Sequence, residues 1–235
     1  MTAPATVLAS YVRENLPSPT NWPIPDGYRY SLALCTIDSI QSLSIRYGTV
    51  IHVVDRYKAY RGETGGHCLH DGANDLIETF TALGGPENWA TTIGTRNRTS
   101  TTPGAPLKAT AILAAASELA AAGVNNTTTL RALVEDPDEL TRVKSRWRAV
   151  PGQRSGISWR YLLMLAGVPG VKPDRMIRRA LNNALGASAS RLTDAEIVDL
   201  MSETAQDLGV DTSHLDHALW RHQSGRGFPT PAKTT

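Results

Sequence analysis

The stretch Val150-Pro151-Gly152-Gln153-Arg154-Ser155-Gly156-Ile157-Ser158-Trp159 constrains the fold of this chain more than any other. Pro151-Gly152 dictates a turn and Gly156 offers a second left-handed corner. The apolar run Leu162-Leu163-Met164-Leu165-Ala166 then reads as a helix closed by Gly167. A glycine-cornered turn that opens a helix presents unpaired backbone N–H groups at the positive end of the helix dipole, which makes it a seat for phosphate. Lys172-Pro173-Asp174-Arg175 follows, a lone carboxylate among cations. The segment reads as a nucleic-acid clamp with an acid placed beside it.

Charge distribution supports that reading. Residues 141–180 carry ten Lys or Arg against the single acid Asp174, a local charge of +9 in a chain whose net charge is only +2. One concentrated cationic region on an otherwise acidic protein is the footprint of a polyanion partner. The alternative is a solvated helical face that happens to be rich in arginine.

With 235 residues the chain can bury a real core in one or two domains. No apolar run approaches the roughly 18 residues of a membrane span, and the N-terminus lacks a charged head followed by an apolar stretch. A cytoplasmic, nucleoid-associated protein with no membrane contact is expected. Cys35 and Cys68 can form one disulfide at most and cannot supply an all-cysteine zinc or iron–sulfur site; reduced thiols are expected.

Nearly every periodic segment reads helical, about ten helices in all, with no strand pattern, so the class is all-α. Expected helices run over 6–15, 30–46, 47–59, 75–83, 107–122, 129–134, 138–149, 158–166, 174–185, 193–208 and 215–223. A connector with Pro17, Pro19, Pro23 and Pro25 should not be helical. Gly84-Gly85 and Gly123 close helices, Asp136 or Asp138 caps the helix that follows, and Thr193-Asp194-Ala195-Glu196 is a capping box. Residues 226–235 are expected to be a disordered tail.

The hairpin start Val150-Pro151-Gly152, the helix end Ala166-Gly167 and the acid Asp174, at the right spacing, resemble the helix–hairpin–helix DNA glycosylase superfamily, the endonuclease III and 3-methyladenine glycosylase group. The resemblance covers roughly residues 28–225. It implies a two-lobed fold with a cleft between lobes: 30–167 as a helical bundle carrying the hairpin, and 1–29 with 168–225 as a second lobe carrying the acid. Three departures set the chain apart as its own branch. Arg154 stands at the second hairpin glycine. Gly156 occupies the place of the lysine that gives bifunctional members their strand-cleaving Schiff base. Pro173-Asp174-Arg175-Met176 replaces the relatives' Val-Asp-Thr-His. No cysteine cluster follows the acid. The resemblance therefore implies a monofunctional enzyme without cofactor or metal, acting as a monomer on double-stranded DNA.

Removing a base breaks a C1′–N bond through an oxocarbenium-like sugar, and a fixed carboxylate near C1′ stabilises that charge and orients water. Asp174 is the candidate; the alternative is that it merely caps the helix after it. Gly152, Gln153, Arg154, Ser155, Gly156, Ser158, Lys172 and Arg175 are the expected DNA contacts. A base inside a duplex must be flipped into a pocket. Gln41 is then either a plug for the emptied stack or a surface amide, and Asp38 a pocket acceptor or a buried partner of Arg46. Tyr47 belongs to the same region, and Trp159 either stacks on a base or packs in the core. Asn97 and Arg98 are further strand contacts. His67-Cys68-Leu69-His70 looks like half a metal site but reads better as a surface loop, and His214 and His217, either side of Asp216, as exposed or packed on Trp220. Two other readings stay open: a hairpin module that binds DNA without catalysis, and a helical protein whose basic face meets an acidic protein.

Overall fold

The computed structural model describes residues 3–229. Among these the chain is all-α, twelve α-helices and three short 3-10 segments, with an isolated antiparallel bridge between Arg98 and Leu107 in place of a strand. It divides into two compact units, Gly27–Val168 and the segments that flank it, up to Asp26 and from Pro169.

α1 (Pro4–Asn15) opens on a proline, whose missing N–H is harmless in a first turn, and buries Leu8, Ala9 and Val12. The proline-rich connector holds a single 3-10 turn, Pro19–Asn21, since proline's fixed φ suits one tight turn without sustaining a helix.

The central unit contains α2 (Leu32–Gln41), α3 (Tyr47–Glu63), α4 (Ala73–Ala82), α5 (Pro86–Thr92), α6 (Lys108–Ala121), α7 (Thr127–Ala132), α8 (Pro137–Ala149) and α9 (Ile157–Leu165). α2 is its axis: every residue of it is buried, and it packs on α3, α4, α6 and α9. The expected helix through Arg46 instead stops at Gln41. Ser39 and Ser42 turn their hydroxyls onto the backbone carbonyls of Thr36 and Ser39, a competition that weakens helices, and Ser44 adopts a left-handed φ of 58°. Buried Lys108 closes the end by donating to the carbonyls of Gln41, at 2.9 Å, and Leu43.

A second tie fixes the loop between α3 and α4. Arg61 donates from Nε and Nη2 to Asp71 at 2.6 and 2.9 Å, and the buried Tyr57 hydroxyl adds a bond of 2.8 Å to the same carboxylate. α5 was not expected; Pro86 starts it directly behind Gly84 and Gly85, both at positive φ, and Trp89 stacks on Phe80 at 4.6 Å.

The flanking unit joins α1 to α10 (Arg175–Leu185), α11 (Asp194–Leu208) and α12 (Thr212–Gln223) around a core that includes Leu8, Val12, Ile177, Leu181, Met201 and Leu219. The Thr193–Glu196 capping box forms as read, and Asp136 rather than Asp138 caps α8. Other expected helices appear with ends shifted by about a turn. The tail expectation is corrected at its start: the Arg226 guanidinium lies 5.4 Å from the Trp220 ring, Arg221 holds the Gly227 carbonyl and Phe228 packs on the core. Residues 230–235 lie outside the described residues.

Candidate functional site

The glycine corner between α8 and α9 is built by Gly152 and Gly156, at φ of 81° and 77°, a region that L side chains rarely enter. Arg154 therefore needs no special conformation. A Cβ on Gly152 would sit 2.8 Å from that of Thr99, so the corner also rests closely on the loop before α6. Some of its residues face outward and others inward. Gly152, Arg154 and Ser155 are exposed, and among the described residues the N–H groups of Arg154 and Ser155 donate to no protein acceptor.

Gln153, Gly156 and Ser158, expected on the DNA side, are buried. Ser158 accepts from Trp147 Nε1 at 2.9 Å and donates to Gln153 Oε1 at 2.5 Å, while Gln153 Nε2 donates to the Pro151 carbonyl at 3.2 Å. Buried polar groups must find partners, and these find each other, so both side chains are struts of the corner rather than contacts for a strand. Trp159 is likewise core: 2% exposed, its ring lies 5.9 Å from Trp147, which removes it as a stacking platform. Ser158→Ala should leave the Trp147 indole N–H and the Gln153 side-chain Oε1 unpaired and cost roughly 1–3 kcal/mol in a urea melt.

The basic window is partly neutralised by acids from elsewhere: Arg142 pairs with Glu139, Arg146 with Glu118 and Arg178 with Asp194. Among the described residues, Lys144, Arg148, Arg154 and Arg160 of the central unit, and Arg175 and Arg179 of the flanking unit, form no ion pair. Arg148 Nε also donates to the Arg154 carbonyl at 2.8 Å, which sets two arginines at the corner.

Asp38 and Tyr47 come together as the sequence led one to expect, but inside the unit. Asp38 is fully buried, and the hydroxyls of Tyr28 and Tyr47 both donate to its Oδ2 at 3.1 Å. Tyr28 and Tyr47 are thus among the partners of Asp38, while Arg46 lies exposed. Burial foremost, and then the Asp38 charge, push the hydroxyls of Tyr28 and Tyr161 above the usual tyrosine range. Gln41 is neither a surface amide nor a projecting plug: it is 1% exposed, and among the described residues its amide oxygen and nitrogen have no hydrogen-bond partner. Cys35, one turn before Asp38, is a buried free thiol donating to the Tyr28 carbonyl.

Asp174 occupies the N-cap of α10. Its Oδ1 accepts the N–H groups of Met176 and Ile177 at 2.7 and 3.2 Å, which locks the side chain, and its Oδ2 lies 3.9 Å from Lys172 Nζ. The side chain keeps a 20% exposure. Lys172, expected to grip phosphate, turns its ammonium to this carboxylate instead; Arg175 is exposed. The residue that sequence reading passed over is Asp216. It is buried on the apolar side of α12, accepts the Lys172 N–H at 3.0 Å, and is pushed up to about 8, first by burial. A carboxylate among Leu215, Ala218 and Leu219 was its signal.

The remaining candidates are structural. Arg98 donates to the Ala105 carbonyl within its own loop, and the Asn97 carbonyl accepts the Lys108 N–H. His70 stacks on Tyr30, His214 contacts the Trp22 carbonyl, and His217, lowered to about 4 mainly by burial, stacks on Trp220. Among the described residues no group of three His, Cys, Asp or Glu is placed to hold a metal, and no helix is long and apolar enough to cross a membrane. A family model described as a domain of unknown function (DUF8548) matches residues 6–224. No curated protein and no solved structure matches the chain significantly.

Proposed function

The chain belongs to the DUF8548 family, and from the residues it carries there we propose that it is a monofunctional DNA N-glycosylase of helix–hairpin–helix type. The observation that carries this reading is the carboxylate of Asp174, held rigidly through one oxygen by two backbone N–H groups while the other stays off the cap beside Lys172. A pre-oriented carboxylate of this kind stabilises a developing oxocarbenium ion and directs water at C1′, without having to reorganise during the reaction. α8, the glycine corner and α9 are the hairpin, and the outward Arg154 and Ser155 hold a phosphate through side chain and N–H. Arg148 and Arg160 add sequence-independent attraction to the backbone. With Gly156 where bifunctional relatives carry lysine, the product is an intact strand with an abasic site.

The test is a panel of duplexes, each with one alkylated purine, uracil, mismatched thymine or hypermodified cytosine, scored for alkali-labile sites. Product on at least one duplex is expected; strand scission without alkali overturns the monofunctional assignment. Arg154→Ala should weaken binding about equally on all duplexes and reduce the slope of log K against log salt by about 1.

A second reading is favoured by one observation: capping α10 fully accounts for Oδ1 of Asp174. On that reading the protein binds duplex DNA in the same salt-dependent way and makes no abasic site on any member of the panel.

A further inference from the structure

Asp216 lies in the apolar core of the flanking unit, where a carboxyl group is expelled or neutralised unless something holds it. What holds it is the segment leading into Asp174. The Lys172 N–H donates to Asp216 Oδ1 at 3.0 Å. One turn earlier on α12, Ser213 Oγ accepts the Gly170 N–H at 2.8 Å and reaches back to the Gly170 carbonyl at 3.3 Å. Two side chains of one helix face therefore seat residues 170–172. From there the chain passes through Pro173, whose φ is fixed by its ring, straight into Asp174. The same Lys172 whose N–H is held by Asp216 brings its ammonium to 3.9 Å from Asp174 Oδ2.

We infer that Asp216 is the positioning carboxyl for Asp174: it seats the 170–174 segment through the Lys172 N–H; neutral, it leaves Asp174 the sole negative charge beside Lys172, and ionised, it sets a second charge against Asp174. The inference rests on reading Asp174 as the acting acid. The charged groups that bear on Asp216 are Asp174, which disfavours its ionisation, and Lys172, which favours it; α10 and α11, also packed on α12, add none. Of its helix neighbours, His214 is engaged with Trp22 and His217 with Trp220. Burial outweighs the Lys172 contributions, which places the change of state near pH 8. The step itself is loss of one proton from Asp216 to solvent.

The sign follows from linkage. The folded state keeps a proton on Asp216 that the unfolded chain releases above about pH 4. Its stabilisation is complete below that value, declines as pH rises toward 8 and is level beyond. Asp216→Asn keeps the acceptor for Lys172 and cannot titrate. The melting temperature of Asp216→Asn minus that of the wild type should therefore rise from pH 5 to pH 8 and then flatten; a difference that does not vary with pH overturns the inference. The carboxyl carbon of Asp174, followed by carbon-detected NMR in the full chain, should show an inflection near pH 8 in the wild type and none in Asp216→Asn. Ser213→Ala, which loosens the same segment without removing a charge, should keep it. Absence of the inflection from the wild type overturns the inference even if Asp216→Asn does not fold. If the inflection is present and no duplex yields product, the coupling of the two acids stands and the glycosylase reading fails. If product forms, its rate should fall above pH 8 in the wild type and hold in Asp216→Asn.

Discussion

Asp174→Asn is expected to slow abasic-site formation by roughly 10²–10⁴-fold, the usual contribution of a placed acid–base or charge-stabilising group. The fold should survive the change, because asparagine caps a helix about as well as aspartate does. It can accept from the Met176 and Ile177 N–H groups that Asp174 now serves. What it removes is the negative charge next to Lys172, the charge that the proposed function sets against the sugar. A single-turnover assay on the best duplex of the panel, paired with a thermal melt, separates these effects. A large rate loss at an unchanged melting temperature assigns the charge to chemistry; equal rates in both proteins assign it to the cap. Asp174→Ala adds the loss of the cap, about 1 kcal/mol, and so cannot make the distinction alone.

Asp71→Ala is expected to destabilise the protein by roughly 3–5 kcal/mol, the cost of removing one partner of a buried ion pair. Asp71 is 3% exposed and accepts from Arg61 twice and from the Tyr57 hydroxyl once. Alanine would strand a guanidinium whose remaining carboxylate, Asp75, is 3.6 Å away and half in solvent, together with a hydroxyl buried completely. Tyr57 already sits above the usual tyrosine range, through burial first and then the Asp71 charge, so it stays a neutral donor. Denaturant melts of Asp71→Ala and Asp71→Asn decide the point. Asparagine can still accept from Arg61 and should lose less; equal losses would assign the effect to packing.

Local order could be read from the chain wherever one segment decided it. The glycine corner, the Asp136 and Thr193 caps and the N-cap position of Asp174 each depend on residues within a few places of each other, and each appears in the structure. The break after Gln41 was missed because the apolar periodicity runs on through Leu43 and Ile45, while the serine hydroxyls and the distant Lys108 end the helix. α5 escaped notice because seven residues behind a Gly-Gly stop show too little period to stand out. Orientation within the site was harder still. Gln153 and Ser158 turn inward because Trp147, on the preceding helix, offers an indole N–H. Asp38 is claimed by tyrosines 10 and 9 residues away on either side, which no helical spacing connects. Asp216 was passed over between two histidines because its partner, the Lys172 backbone, lies 44 residues upstream.

The division of the corner into outward and inward residues has a consequence for how such a protein can diversify. Position 154 can exchange charge or size at little risk to the architecture, since its side chain is exposed, whereas the Ser155 hydroxyl also accepts the Ile157 N–H at the start of α9. Positions 153 and 158 cannot change singly, because each completes a chain of donors ending at an indole. A lineage is thus free to retune what the corner grasps while the device that keeps it rigid is inherited as a block.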